Sequence, residues 1–395
     1  MKNKMNWPLN INNFSILDRI SISLFILNFN NRWTQDKEVK KFEQKMADFI
    51  GTKYAIFVSS GSTANTLLAQ YIKDHTNNFS ERNQVIFPSL TWQTSCSPWI
   101  REGFDPVFID ISMEDFSIDK NKLLNYIEKN NKKVACVFPT SLIGYTQDIE
   151  ILNIIKHKYK IPVFMDNCEN TFGRYKNKNI SSYFTSSTST YFGHQLQSIE
   201  GGFIFTNDIN EYEYFLMNRN HGMSRSLDGY NLNKTKYLNT SVDPLFDFFS
   251  LGNNFRNTDL NAFIGQLDLK RADLYIKERI KKYKIYYNLL DKDKFFLPEY
   301  RHDNLDVPFC LPVIVKNSNK SIYKEAKNIC KKYNIEYRPI ISGFLGYQTC
   351  YKKYFKDITQ YENAIYLHEY GFYVGLYSNL DIRYIKDFVK ELNNL

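Results

Sequence analysis

The sequence lacks the patterns that mark several large classes of protein. Its six cysteines are widely spaced, with no C-x-x-C or C-x-C pair, so neither a zinc site nor an iron–sulfur cluster is indicated. The apolar run at residues 20–29 is far too short to span a bilayer, and the N-terminus has no apolar signal-peptide segment. We therefore expect a soluble, cytoplasmic protein with reduced thiols, no metal site and no membrane partner.

The chain also lacks any concentration of charge. Its net charge of +9 comes from lysines scattered along 395 residues, and there is no basic patch interleaved with aromatic side chains. A nucleic-acid partner is therefore not indicated, whereas an anionic small-molecule substrate suits this charge. The 43% of hydrophobic and 24% of charged residues are ordinary for a globular chain long enough for two domains.

Strand-like and helix-like segments alternate over the first two thirds of the chain. A helical period over residues 37–50 ends at Gly51, and short β-rich runs follow near residues 54–58, 85, 107 and 134, with helices between them. This order predicts an α/β fold with a mostly parallel sheet and helices on both faces. We divide the chain into an N-terminal arm (1–35), a large domain (36–275) and a smaller C-terminal α/β domain (276–395).

Two further segments carry predictions about secondary structure. Residues 17–27 of the arm read as a helix, although their Ile/Ser alternation fits a strand equally well. Residues 259–290 are strongly periodic and are predicted to form one long helix leading out of the large domain.

The chain places an acid and an imidazole close to predicted strand ends. An apolar run from Ile161 to Met165 ends in Asp166, a second strand-like run ends in His194, and a third strand, from Phe203 to Thr206, follows a Gly201-Gly202 turn. Functional groups of α/β proteins gather at the carboxyl ends of such strands. A buried carboxylate there needs a partner, and we expect something positive to meet Asp166.

The segment SSGSTANTLLAQYI, from Ser59, leads from a small polar turn directly into an amphipathic helix. Backbone N–H groups and the positive end of the helix dipole at Gly61 and Ser62 could hold a phosphate. For an isolated Ser-Gly-Ser, a plain helix cap with nothing bound is the more common explanation.

Together these motifs resemble those of the DegT/DnrJ/EryC1/StrS family of sugar aminotransferases, which depend on pyridoxal 5'-phosphate (PLP). The resemblance extends from about residue 33 to the end of the chain. The motifs that show it include SSGSTAN, FMDNCEN, STSTYFGHQLQSIEGGFIFTND, RNHGMSR and LGNNFRNTDLNAFIGQL. The resemblance implies the aspartate aminotransferase fold (PLP fold type I), a mostly parallel sheet with helices on both faces and a smaller C-terminal domain.

One departure from the family pattern bears on the reaction. His194 stands where the family carries the lysine that binds PLP covalently, and an imidazole cannot form that bond. In having histidine at this position, the chain resembles the sugar 3-dehydratases of the family, which use pyridoxamine 5'-phosphate (PMP). These 3-dehydratases are of two types, one with an iron–sulfur cluster and one without a metal. Because the cysteine ligands of a cluster are missing here, the resemblance implies the metal-free type, which acts on GDP-sugars. An isolated histidine on a strand is more often structural, but this position favours a catalytic base, with a pKa near neutral.

The resemblance also implies roles for other residues. Gly61, Ser62 and Ser189 would hold the cofactor phosphate, with Asn254 of a neighbouring subunit completing the cradle in a homodimer with shared active sites. Asp166 would accept a hydrogen bond from the pyridine nitrogen. Trp92 would stack on the ring, or else be a core residue. Glu169 would lie near the ring oxygen or the reacting carbon, or else be a solvated loop acid.

Substrate contacts are assigned on the same basis. His221 and Arg225 are candidates for holding the nucleotide-sugar, or else form a local structural pair, and Arg338 is a further candidate. Three phenylalanines could line a nucleotide pocket or belong to a hydrophobic core: Phe246, Phe248 and Phe249.

The expected reaction is loss of the C3 hydroxyl of a GDP-linked 4-keto-6-deoxyhexose, with His194 as base and PMP regenerated from glutamate. It would belong to dideoxysugar biosynthesis for lipopolysaccharide O-antigen. Two alternatives stay open: an aminotransferase in which another lysine, such as Lys270, does the amine chemistry, and a catalytically inactive relative that only binds a nucleotide-sugar or a partner protein.

Overall fold

The computed structural model describes residues 5–230, 232–233, 235–237, 239, 241–298 and 306–395. Its α-helices are α1 (Ile16–Leu27), α2 (Lys37–Ile50), α3 (Gly61–His75), α4 (Gln93–Arg101), α5 (Lys120–Asn130), α6 (Ile149–Lys158), α7 (Ile209–Asn218), α8 (Asp259–Leu269), α9 (Ala272–Leu289), α10 (Lys320–Tyr333), α11 (Glu362–Tyr370) and α12 (Ile382–Asn393). Its strands are β1 (Tyr54–Val58), β2 (Gln84–Pro88), β3 (Asp105–Ile109), β4 (Val134–Val137), β5 (Met165–Asp166), β6 (Arg174–Tyr175), β7 (Lys178–Asn179), β8 (Ser186–Ser189), β9 (Gly202–Thr206), β10 (Phe295–Phe296), β11 (Cys310–Val315), β12 (Tyr337–Pro339) and β13 (Gly371–Gly375). Short 3-10 helices lie at Leu142–Gly144, Ile180–Ser182, Ser224–Tyr230, Thr235–Tyr237, Leu345–Tyr347, Lys352–Tyr354 and Ile358–Gln360.

The large sheet runs in the order β1-β9-β8-β5-β4-β2-β3. Parallel bridges from Val137 to Val163 and from Thr140 to Asp166 join its two halves. The pairs β5–β8, β2–β3 and β2–β4 are parallel, and only β9 runs against its neighbours β1 and β8. The predicted mostly parallel sheet is therefore confirmed.

Strand β2 illustrates why this sheet is covered on both faces. Val85 and Phe87 pack into one hydrophobic cluster, whereas Ile86 points to the opposite face and packs into another. All three side chains are fully buried. Because successive side chains of a strand alternate between faces, a run that is apolar throughout needs helices on both sides.

The C-terminal part of the chain forms a smaller antiparallel sheet in the order β10-β11-β13-β12, covered by α10 and α12. The predicted boundary between residues 275 and 276 falls inside α9, so this helix belongs to both parts, and the three-domain division stays a prediction. Trp7 of the arm is fully buried and donates from Nε1 to the carbonyl of Gly375, which anchors the arm on the small sheet. Residues 1–4 of the arm lie outside the described residues.

The arm contains a helix and not a strand. Ser15 caps α1, because its side chain accepts from the N–H of Asp18 while the Asp18 carboxylate accepts from the N–H of Ser15. This reciprocal capping favours the helix at its first turn.

Three details of the predicted secondary structure are wrong. The single helix over residues 259–290 is two helices, because the chain turns at Arg271, whose guanidinium pairs with Asp18 and Asp268. The strand predicted from Ile161 is regular only at β5; Pro162 within that run has no N–H to donate. Finally, β8 ends at Ser189, so His194 lies in the loop between β8 and β9 and not at a strand end.

Within the described residues, none of the helices is long and apolar enough to cross a bilayer. The same residues hold no group of three or more His, Cys, Asp or Glu side chains that could bind a metal ion. All six cysteines are free thiols.

Candidate active site

A cavity of about 600 Å³ lies at the carboxyl ends of β5 and β8, beside the start of α3 and below the small sheet. Most of the predicted site residues line it together: Gly61, Ser62, Trp92, Asp166, Glu169, Ser189, His194 and Arg338. Three do not line the cavity of their own chain: His221, Arg225 and Asn254.

The first turn of α3 forms one end of the cavity. Ser60 caps the helix by accepting from the N–H of Thr63, and Gly61 and Ser62 follow at the cavity wall. A Cβ on Gly61 would lie 3.1 Å from Cβ of Ser189, and one on Gly202 would lie 2.4 Å from the backbone N of Gly61. The absence of these two side chains therefore lets β8 and β9 approach the helix start, where unpaired N–H groups and hydroxyls can hold a phosphate.

Asp166 lies deep in the cavity, with 3% of its surface exposed. Its carboxylate accepts from Nδ2 of Asn65 (2.9 Å), Oγ of Ser95 (2.7 Å) and the N–H of Cys168 (3.0 Å). The expected positive partner is not supplied by the described part of the chain, since these three donors are neutral. They orient the carboxylate and leave it able to meet a protonated ring nitrogen of a ligand.

Sequence reasoning missed Asn65 and Ser95. Asn65 is one turn after Gly61 on α3, and its Oδ1 also accepts from the hydroxyl of Ser187. An asparagine in a helix interior is uncommon unless its side chain has a specific partner, so this position carried a usable signal.

His194 lies in the loop after β8 with its ring facing the cavity. Its Nδ1 is 2.7 Å from the carbonyl oxygen of Cys168, and because a carbonyl can only accept, Nδ1 carries the proton and Nε2 is free to accept one. Burial lowers the pKa of His194 to about 4, despite the opposing effects of this hydrogen bond and of Asp166. The expectation of a pKa near neutral is therefore wrong for this structure, and the imidazole is uncharged at pH 7.

Asn10 of the arm ties this loop to the small sheet. Its Nδ2 donates to the carbonyls of Phe192 (2.7 Å) and His194 (3.4 Å), while the neighbouring Leu9 N–H donates to Glu336. Asn10 lines the cavity and was not predicted, since nothing in the arm sequence marks it.

Glu169 is part of the cavity wall and not a solvated loop acid. Its Oε2 accepts from the N–H of Ile143 at 2.8 Å. Burial, reinforced by the nearby negative charge of Asp166, raises the pKa of Glu169 to about 8. The carboxyl group is therefore mostly protonated at pH 7 and can donate a hydrogen bond into the cavity.

The remaining candidates divide between the cavity mouth and the outer surface. Trp92 precedes α4 at the mouth and is 53% exposed, so it is not a core residue. Arg338 on β12 lies at the same mouth, with its guanidinium 3.5 Å from the carboxylate of Glu336.

Outside the cavity, the guanidinium of Arg225 lies over the ring of Phe246, 5.1 Å from its centroid. His221 forms no hydrogen bond with Arg225 in the described structure; its backbone N–H donates to the carbonyl of Asn253 at 2.7 Å.

The three predicted pocket phenylalanines belong to an exposed segment. More than half of each side chain is exposed at Phe246, Phe248 and Phe249, so the core interpretation is wrong for all three. None of them lines the cavity of its own chain. Asn254, also exposed, follows a few residues later.

The donor set of the cavity fits a pyridoxal-type cofactor. One end offers the helix start and Ser189 for a phosphate, Asp166 lies deeper for a ring nitrogen, and Trp92 offers an aromatic face. No lysine is among the cavity-lining residues of the described chain, and Lys270 lies exposed at the end of α8. Fold and site thus define a vitamin B6-dependent enzyme of the aspartate aminotransferase fold in which no lysine of the described residues lines the cofactor cavity.

Comparison with known proteins narrows this class. The model of the DegT/DnrJ/EryC1/StrS aminotransferase family matches residues 26–393, and the chain belongs to that family. It is 30% identical to GDP-4-keto-6-deoxy-D-mannose 3-dehydratase of Yersinia pseudotuberculosis, with 88% of each chain covered.

Two solved structures extend the likeness to three dimensions. The Escherichia coli GDP-4-keto-6-deoxy-D-mannose 3-dehydratase with bound hydrated PLP superposes with a TM-score of 0.88 at 25% identity, covering 99% of this chain and all of the other. A GDP-4-keto-6-deoxymannose 3-dehydratase with a trapped PLP-glutamate geminal diamine has a TM-score of 0.87 at 25% identity, covering 98% of this chain and 100% of the other. The predicted family and fold are thereby confirmed.

Proposed function

We propose that this enzyme is a PLP/PMP-dependent 3-dehydratase that removes the C3 hydroxyl of a GDP-linked 4-keto-6-deoxyhexose and regenerates PMP from glutamate. The observation that carries the proposal is the imidazole of His194, held through Nδ1 by the carbonyl of Cys168, in a cavity whose described lining residues include no lysine. The similarity to 3-dehydratases over most of the chain supports the same reaction.

Each residue has a defined task in this proposal. Gly61, Ser62 and Ser189 bind the cofactor phosphate, and Asp166 holds the ring nitrogen protonated. When bound, the cofactor supplies an electron sink for the bonds that change on the sugar. Nε2 of His194 accepts the proton that must be moved, and its Nδ1–H stays on the carbonyl of Cys168. Glu169, protonated near neutral pH, offers a further hydrogen bond from the cavity wall.

The overall reaction balances without a metal or an external oxidant. The sugar loses its C3 hydroxyl and gains a hydrogen, which is a two-electron reduction. When bound, PMP would supply these two electrons and the amine that is released as ammonia. Glutamate, in being oxidised to its 2-keto acid, would restore both. This one cavity therefore serves two half-reactions with different anionic substrates.

We also propose that the enzyme is a homodimer with shared active sites. Asn254 is exposed and lies outside its own cavity, close to an exposed apolar patch formed by Leu245, Phe246, Phe248, Phe249 and Leu251. Five large, exposed apolar side chains within seven consecutive residues are unusual for a free surface and are typical of an interface. Placing it against a second copy would let Asn254, His221 and Arg225 approach the neighbour's cavity. A cytoplasmic location and a role in O-antigen biosynthesis stay predictions.

Three experiments test the reaction. Incubation with PLP, glutamate and a GDP-4-keto-6-deoxyhexose should yield a sugar lighter by one oxygen in the mass spectrum, whereas an aminotransferase would yield an amino sugar. Borohydride should not link PLP to the protein; a lysine carrying the reduced cofactor would refute the dehydratase assignment. His194→Asn should abolish dehydration while PLP still binds, and turnover at the wild-type rate would remove His194 from its role. An inactive relative would bind the nucleotide-sugar and release no product.

A further inference from the structure

Three cations are buried in the described part of the chain: Arg219, Arg279 and Lys282. Two of them have a carboxylate partner. Arg219 pairs with Glu43, and Lys282 donates to Glu278 at 2.7 Å. Such pairing is the usual way in which a protein compensates a buried charge.

Arg279 has no such partner among the residues that the structure describes. Its Nη1 donates to the carbonyl oxygens of Pro308 (3.2 Å) and Phe309 (2.9 Å), and no carboxylate of the described residues lies within 4.0 Å of the guanidinium. Asp268 influences it only through space, since that carboxylate is engaged by Tyr275 and by the N–H of Gln197. Arg279 therefore carries a buried positive charge that only neutral carbonyls compensate.

This charge faces the active-site cavity on the side of His194. Arg279 lines the cavity, although only 4% of its surface is exposed. The ring of Phe309, whose carbonyl it holds, lies 5.6 Å from the imidazole of His194. The positive charge also acts on the imidazole, helping to keep it unprotonated. An anion bound at Arg279 would thus lie beside the group that moves the proton.

The sequence places Arg279 here through helix periodicity. The buried stripe of α9 is formed by residues spaced three or four apart: Ala272, Tyr275, Ile276, Arg279, Lys282, Tyr283 and Tyr286. An arginine on an otherwise mostly uncharged stripe is costly to bury, so its presence requires a reason.

We infer that Arg279 binds a carboxylate of the amino donor, an inference that rests on the proposed half-reaction with glutamate. The helix start at α3 already offers a place for the cofactor phosphate at the other end of the cavity. The guanidinium fork matches a planar carboxylate, and its fixed hydrogen bonds to two carbonyls preorganise it. The diphosphate of a nucleotide-sugar is bulkier, and Arg338, with 58% of its side chain exposed at the mouth, suits it better.

The two half-reactions allow a clean test with Arg279→Met and a matched control, Lys277→Met, which removes an exposed charge from the same helix. Conversion of PLP-loaded protein to the PMP form is followed by absorbance against glutamate concentration. We expect the apparent dissociation constant for glutamate to rise about 10- to 100-fold in Arg279→Met, the effect of losing a charge-assisted hydrogen bond. Dehydration in a single turnover of PMP-loaded protein should keep its rate, and Lys277→Met should match the wild type in both assays.

A binding measurement completes the test without catalysis. Glutarate has the two carboxylates of glutamate but no amine. Calorimetry should detect its binding to the PLP-loaded wild type and none to Arg279→Met. Arg279→Lys should bind glutarate weakly, and this variant replaces Arg279→Met if the latter does not fold. Three results for Arg279→Met would each overturn the inference: equal loss of both half-reactions, unchanged binding of glutarate, or a loss confined to the half-reaction with the nucleotide-sugar. Wild-type protein that binds glutarate through Arg279 but releases no deoxysugar would support the carboxylate site while refuting the proposed dehydration.

Discussion

At the scale of single residues, Glu169 and His194 show how one environment shifts two titratable groups in opposite directions. Burial disfavours the charged form of both, so the pKa of Glu169 rises to about 8 while that of His194 falls to about 4. Both side chains are consequently uncharged at pH 7. The cavity thus offers a carboxyl that donates and an imidazole nitrogen that accepts, which is the combination that proton movement requires.

The raised pKa of Glu169 makes a prediction about stability. Between its ordinary value of 4.5 and about 8, the folded protein holds a proton that the unfolded chain has lost, so this residue destabilises the fold increasingly as pH rises through that range. Glu169→Gln cannot ionise, and its free energy of unfolding relative to wild type should increase by about 2–3 kcal/mol between pH 6 and pH 8.5.

Urea unfolding of the cofactor-free protein at the two pH values measures this difference. Glu114→Gln, at an exposed position, is the control and should follow the wild type. A difference between Glu169→Gln and wild type that stays constant with pH would show that Glu169 is ionised throughout.

At the scale of secondary-structure elements, the start of α3 is held in place by the close approach of β9. Gly202 pairs with both Val58 and Ser189 in the sheet, and a Cβ on it would lie 2.4 Å from the backbone N of Gly61 and 2.5 Å from the carbonyl O of Ser60. Backbone atoms cannot rotate away as a side chain would. The helix start itself would therefore have to move.

Gly202→Ala should displace this phosphate-binding turn. We expect a loss of about 1–3 kcal/mol in the free energy of unfolding, as for overpacked cores, and a weaker affinity for PLP. Affinity for pyridoxal, which has no phosphate, should fall much less, and fluorescence titration of both ligands makes the comparison.

Gly229→Ala is the control for this substitution, because its new methyl would meet only the end of the flexible Lys40 side chain. Equal losses of PLP and pyridoxal affinity in Gly202→Ala would argue that the turn does not bind the phosphate.

At the scale of the whole molecule, the exposed apolar patch and Asn254 are explained together if two copies share their active sites. Leu251 is fully exposed in the single chain, and the four other patch residues are each more than half exposed. Such a surface is unfavourable in water, and a two-fold interface would cover it on both subunits at once.

Subunit mixing tests this arrangement. His194→Asn and Asn254→Ala subunits should each be inactive as homodimers, but a mixed dimer has one cavity with both wild-type residues. An equal mixture refolded or exchanged together should recover roughly a quarter of the wild-type dehydration rate, since half of the dimers are mixed and each has one intact site. No recovery, with mixed dimers present by native mass spectrometry, would place both residues in the same subunit's site.

Much of the fold could be read from the order of residues along the chain. The helical period and Gly51 predicted α2 with its observed bounds, and the small polar turn from Ser59 predicted that a helix follows it, because these signals act over three or four residues. The strand β13 was missed: its run GFYVG is short and flanked by glycines, and it becomes the centre of the small sheet only by pairing with the distant strands β11 and β12.

For the site, the sequence by itself determined which chemical groups are available: an acid at Asp166, an imidazole at His194 in place of a lysine, and a helix start at Gly61. Tertiary structure alone decided their state, because a pKa depends on burial and on neighbours that are distant in the chain. It made Glu169 a proton donor, and it left Nε2 of His194 free through the carbonyl of Cys168. It also brought Arg279 to the same cavity with no carboxylate partner among the described residues.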